Sequence, residues 1–131
     1  MFNKKKQPPL KTLIGESSQI TGDLAFTDGL RIDGQVIGNI RAAEEHFSML
    51  VMSETGRVEG EVVADHIIIN GSVKGPVHAR HMLELQPKAR IEGTVQYAAL
   101  EMHQGALITG QLLPILGSEE KPTLKLAANN Q

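Results

Sequence analysis

The stretch Val58-Glu59-Gly60-Glu61-Val62 decides how this chain is read. An apolar residue, a glycine and a second apolar residue occupy alternate positions in it. The same arrangement recurs at Ile20/Gly22/Leu24, Val36/Gly38/Ile40, Val73/Gly75/Val77, Ile91/Gly93/Val95 and Ile108/Gly110/Leu112. Along these six copies the first apolar positions are separated by 16, 22, 15, 18 and 17 residues, too regular a spacing for independent loops. Alternate residues of a strand face one side, so each copy reads as two large inward residues flanking a glycine where the wall bends or approaches another segment.

A second alternating pair follows in each unit: Leu30/Ile32, Leu50/Met52, Ile67/Ile69, Leu83/Leu85 and Leu100/Met102. Between the two pairs lies a mostly small column, Phe26, Ala42, Ala64, Ala79 and Tyr97. Small or turn-forming residues, Gly34, Gly56, Gly71, Ala89 and Gly105, precede the next unit, where the chain changes direction. A unit this short cannot bury its own apolar face, so successive units must stack. The expectation is an all-β, single-stranded β-helix of about six rungs, which at ~4.8 Å per rung is a rod roughly 29 Å long. An antiparallel sandwich also suits short strands punctuated by glycine, but it does not require six repeats in step. The long 22-residue interval holds an insertion over residues 43–47, which a solenoid can extrude as a loop whose acidic pair is solvated.

The tails lack this period. Residues 1–14, with Lys4, Lys5, Lys6 and Lys11 around Pro8 and Pro9, read as a disordered basic segment. The solenoid is expected over 15–116, and residues 117–131 read as a second disordered tail in which the surroundings of Leu124 offer a short partner-binding segment.

Composition narrows the function. The 131 residues carry a formal charge of -2, no cysteine, no tryptophan, one tyrosine and three phenylalanines. A net charge that is not basic gives no electrostatic reason to expect nucleic acid, and the near absence of aromatic residues removes base-stacking platforms. Disulfides and thiolate metal sites are excluded. No run approaches the ~20 apolar residues of a bilayer span, and Met1 to Lys6 lead into proline rather than an apolar signal core. A cytoplasmic protein is expected.

Catalytic chemistry finds little support. His66 and His81 share an offset of eight residues from their units' first apolar positions and are expected to stack, but the next equivalent position is Ala99, so no three-ligand set forms. A strict six-residue period like that of hexapeptide acyltransferases is missing. So are a phosphate loop and a nucleophile elbow. The expectation is a protein with no catalytic, cofactor or metal residues. A β-helix enzyme and a monomeric binding module remain the alternatives.

The ends of such a rod expose unpaired backbone groups and a cross-section of the apolar interior. The first rung offers Ile20, Leu24 and Phe26, and the last Ile108, Leu112, Leu113, Ile115 and Leu116. These are the candidate polymerisation residues, with tails folded over the ends as the monomeric alternative. Met1 and Phe2 beside Lys4, Lys5 and Lys6 form a candidate membrane-binding segment, which each lysine strengthens by on the order of 1 kcal/mol at an anionic surface.

The segments Thr12 to Gly15, Ile20 to Leu24, Gly29-Leu30-Arg31-Ile32-Asp33-Gly34 and Val36 to Ile40, with the later units to Leu112, resemble the bactofilins, a family of bacterial cytoskeletal proteins. The resemblance covers residues 12 to 116. It implies a right-handed β-helix flanked by disordered tails, polymerising through its ends without nucleotide. It also implies a scaffold role in cell shape, polarity or envelope growth, with cell-wall enzymes as clients. The pattern from Met1 to Lys6 is similar to the family's membrane-targeting sequence, which places the protein on the inner face of the cytoplasmic membrane. Where members carry a terminal-rung phenylalanine at the polymer contact, this chain reads Leu112-Leu113-Pro114-Ile115-Leu116.

Overall fold

A computed structural model describes residues 7–115 and 123–126. Every element in it is a strand, and every pairing is parallel. In chain order they are β1 Leu10–Ile14, β2 Gln19–Thr21, β3 Leu24–Phe26, β4 Gly29–Ile32, β5 Gln35–Ile37, β6 Ile40–Ala42, β7 Met49–Met52, β8 Arg57–Glu59 and β9 Val62–Ile69. They continue as β10 Ser72–Lys74, β11 Val77–Leu85, β12 Arg90–Glu92, β13 Val95–Tyr97, β14 Ala99–Met102, β15 Leu107–Thr109, β16 Leu112–Pro114 and β17 Thr123–Leu126.

The pairings resolve into three faces. Face 1 stacks β2, β5, β8, β10, β12 and β15. Face 2 stacks β3, β6, the first halves of β9 and β11, β13 and β16. Face 3 stacks β1, β4, β7, the second halves of β9 and β11, β14 and β17. Each turn contributes one strand to each face, so the chain makes a β-solenoid of six turns, as the repeat predicts, preceded by β1.

Inward columns hold the turns together. Val36, Val58, Val73 and Ile91 line face 1, Ile40, Val62, Val77 and Val95 line face 2, and Leu30, Leu50, Ile67, Leu83 and Leu100 line face 3, all at 1% exposure or less. Burying one such aliphatic side chain is worth about 1.5–3 kcal/mol, so the columns supply most of the cohesion. Parallel register puts each side chain directly over its equivalent in the turn below.

The recurring glycine sits where the wall bends and approaches another segment, as expected, but not among the inward residues of a strand. It lies at the corner between faces 1 and 2 rather than inside the wall, with φ from +125° at Gly22 to +152° at Gly38. A β-carbon on Gly75 would run into the carbonyl oxygen of Gly60, the equivalent residue one turn earlier. Glycine is required twice over, by the left-handed backbone and by the close axial approach of successive corners.

Three other expectations change. Leu10–Ile14, assigned to the basic tail, form β1 by pairing with β4, and Ile14 is 4% exposed. Thr123–Leu126, assigned to the second tail, form β17 and complete face 3 of the sixth turn beside β14. Neither segment has enough apolar residues to fold alone, but an open parallel edge supplies the partner for its backbone groups. In the small column before each unit the last member is Ala106, 7% exposed, whereas Gly105 turns outward at φ +106°.

Gly75→Ala should lower stability by at least about 2 kcal/mol, from positive φ and backbone overlap together. Gly15 has nothing within 4 Å of its β-carbon position, so Gly15→Ala should stay within about 0.5 kcal/mol of the parent. Paired thermal unfolding curves of the two variants check both values.

Candidate functional site

The solenoid's two ends carry the candidate site, because there the inward columns lose a neighbour. Val36 is fully buried, but Ile20, its counterpart in the first turn, is half-buried, and Leu24 stands in the same relation to Ile40. At the other end Ile108 is half-buried above Ile91, and Leu112 is 40% exposed where its neighbour Val95 is fully covered. Phe26 differs from these: it closes the corner of the first turn at 9% exposure over Ala42. Ile115 is half-buried.

Leu113 does not join that cross-section. It shares the register of Gln96 and His78, an outward column of face 2, and is 41% exposed on the rod's side. Leu116 and the tail residues Met1, Phe2, Lys4, Lys5 and Lys6 lie outside the described residues. Three exposed leucines escape the sequence reading: Leu10 at 51%, Leu13 at 62% and Leu107 at 57%. Leu107 immediately precedes the inward Ile108, and that alternation is the signal that marks it as outward.

The insertion is pinned by a buried polar network. Asp65, 6% exposed, accepts hydrogen bonds from the Ser48 amide at 2.8 Å and the Ser48 hydroxyl at 3.1 Å. Arg80 reaches the same carboxylate at 3.3 Å and donates to the Ala42 carbonyl at 2.8 Å. The loop is thereby tied to the corner between faces 2 and 3.

The two histidines expected to stack do not. Between Ala79 and Met82 the register of β11 against β9 shifts, so His66 stands opposite Met82 while His81 turns outward against the edge of the Phe47 ring, 5.3 Å between centroids. Another histidine acquires carboxylate partners. His103 Nε2 lies 3.4 Å from Glu84 and 3.5 Å from Glu101, and ligand-type atoms of these three residues fall within 4.8 Å of one another on face 3. Glu84 and Glu101 are adjacent only through strand register, so spacing along the chain conceals the trio. Burial lowers the pKa of His66 below 6.5 against the opposing pull of Glu84 and Glu101, and its Nε2 has no hydrogen-bond partner among the described residues.

Both described ends of the solenoid thus carry half-buried or exposed members of otherwise sealed apolar columns. A family profile described as bactofilin, polymer-forming cytoskeletal, matches residues 12–113. The chain belongs to the bactofilin family. Bactofilins are structural polymer-forming proteins and not enzymes, which removes the enzymatic alternative. This bactofilin is 27% identical over 111 residues to bactofilin BacO of Myxococcus xanthus, spanning 85% of each chain. To bactofilin BacP of the same organism it is 26% identical over 101 residues, which is 77% of this chain but 40% of that longer protein. Its fold matches the chain in a cryo-EM reconstruction of Thermus thermophilus bactofilin double helical filaments with a TM-score of 0.66 and 29% identity, covering 79% of this chain and 99% of the other.

Asp65→Ala leaves the Arg80 guanidinium half of a buried pair, and should cost about 3 kcal/mol in chemical unfolding. For His66 the folded pKa lies below the unfolded one, so the stability it contributes is complete above pH 6.5 and is lost as pH falls through the folded value. His66→Gln should flatten this component when urea unfolding is compared at about pH 7.5 and about pH 5.5.

Proposed function

We propose that this bactofilin assembles end to end, without nucleotide, into paired filaments held by the N-terminal tail on the inner face of the cytoplasmic membrane. There the polymer serves as a scaffold for enzymes that build the cell envelope. The observation that carries the assembly reading is the contrast along single columns: Val95 is fully buried and Leu112, one turn on, is 40% exposed for want of a next turn. A second chain stacked on the end restores that neighbour and continues three hydrogen-bonded ladders, so one contact meets both the apolar and the backbone demand. The pairing of filaments follows the double helical form of the Thermus relative.

Membrane attachment is supported by the sequence of the tail. Met1 and Phe2 supply apolar insertion and the lysines attract anionic headgroups. One such tail binds weakly, whereas a polymer presents many and gains avidity. Assembly and attachment then reinforce each other.

Electron microscopy of the purified chain should show filaments. Leu112→Glu should convert them to single chains that keep the β-sheet circular dichroism of the parent, because that side chain is already partly exposed. A wild-type protein that stays monomeric at high concentration would end the assembly reading. For the membrane, full-length protein should pellet with anionic liposomes and a chain beginning at Leu10 should remain in the supernatant; equal pelleting refutes the role of the tail.

A further inference from the structure

We propose that face 3 is a self-complementary lateral surface on which two copies of this chain, one from each filament of a pair, lie antiparallel. The proposal rests on the filament reading above and assigns the surface that makes filaments pair.

Parallel register sets the central outward column of face 3 in the order Leu13, Arg31, Val51, Ile68, Glu84, Glu101, Lys125. From the N-terminal end it runs apolar, basic, apolar, apolar, acidic, acidic, basic. Beside it Met82 and Ala99 are half-buried neighbours, whereas Met49 is buried at 6% exposure. The other two faces are unsuited to flat contact. Face 1 displays Arg57, Glu59, Lys74, Arg90 and Glu92, and on face 2 the outward position Val63 is only 4% exposed.

Charge decides the direction of the pair. A twofold axis perpendicular to the rod, passing between Val51 and Ile68, sets Val51 against Ile68 of the second copy and Arg31 against its Glu84. It also lays Leu13 along the stem of Glu101. A parallel pair sets each turn against its own copy and places no opposite charges across from each other in the central column. Only the antiparallel pair joins opposite charges around an apolar centre.

The groups concerned are only partly met within one chain. Asp33 accepts from the Nε of Arg31 at 2.9 Å, which leaves the terminal guanidinium nitrogens for a second carboxylate. Glu84 and Glu101 stand side by side in register, a repulsive arrangement, with Gln86 donating to Glu84 at 3.3 Å, His103 close to both carboxylates and Lys125 next in register to Glu101. A guanidinium from a second copy neutralises them at any pH in the physiological range.

The test uses the full chain. Arg31→Glu should halve the filament mass per unit length, a two-fold drop from paired to single filaments, with filament length retained. Combining Arg31→Glu with Glu84→Arg should restore the paired form. Paired filaments in Arg31→Glu alone, or single filaments in the combined variant, overturn the proposal. Loss of all filaments in Arg31→Glu also overturns it, by moving Arg31 to the end contact. Absence of filaments from the wild type strikes at assembly itself. A second measurement is independent of charge reversal. The chain has no cysteine, and positions 31 and 84 are three turns, roughly 14 Å, apart, too far for a disulfide within one copy. Arg31→Cys with Glu84→Cys should give oxidised covalent dimers, while Arg31→Cys alone should not. No dimer from the double variant, or dimers from the single one, refutes the antiparallel pair.

Discussion

The structure depends on how closely one backbone turn can approach the next. At the corner between faces 1 and 2 each glycine sits against the carbonyl of the glycine one turn earlier, in a backbone conformation that other residues rarely adopt. With that corner closed, strands on all three faces fall to hydrogen-bonding distance, and every aliphatic side chain meets its equivalent above and below. The cohesion of the core is therefore axial. It runs between turns more than across the interior.

An axial core has no natural end. A globular domain can close its apolar interior on all sides, but a solenoid of identical turns leaves an unfinished copy at each end. In this bactofilin β1 and β17 extend face 3, and the first and last turns keep half-buried residues in columns that are otherwise sealed. The end-to-end assembly proposed above would use the same stacking that folds the chain. The sides of the rod are free to differ: face 1 is charged, the corner between faces 2 and 3 carries a loop pinned through Asp65 and Arg80, and face 3 has Arg31 toward one end and Glu84, Glu101 and Lys125 toward the other.

Much of this was legible from residues alone. The step of an apolar residue, a glycine and an apolar residue named the inward columns correctly from Ile20 to Leu112, because strand periodicity is local and survives any arrangement of turns. The place of the insertion was equally plain, as one interval exceeds the others. The glycine was legible as a bend or close approach but not as a corner outside the inward columns, since a period of two cannot distinguish an inward gap from a corner. β1 and β17 were missed because each is stabilised by an edge that belongs to distant sequence.

Taken by itself, the sequence determined that the units must stack, which side chains face the interior, and that both ends are left apolar. Those properties follow from spacing and from units too short to fold alone. Only the tertiary structure decided the relative register of outward residues, because a single shift between Ala79 and Met82 separates His66 from His81. The meeting of Glu84, Glu101 and His103, and the ordered run from Leu13 to Glu101 on face 3, are set by that register. Side chains on adjacent turns are neighbours at one strand spacing while standing some seventeen residues apart in the chain, so no local pattern records which of them touch.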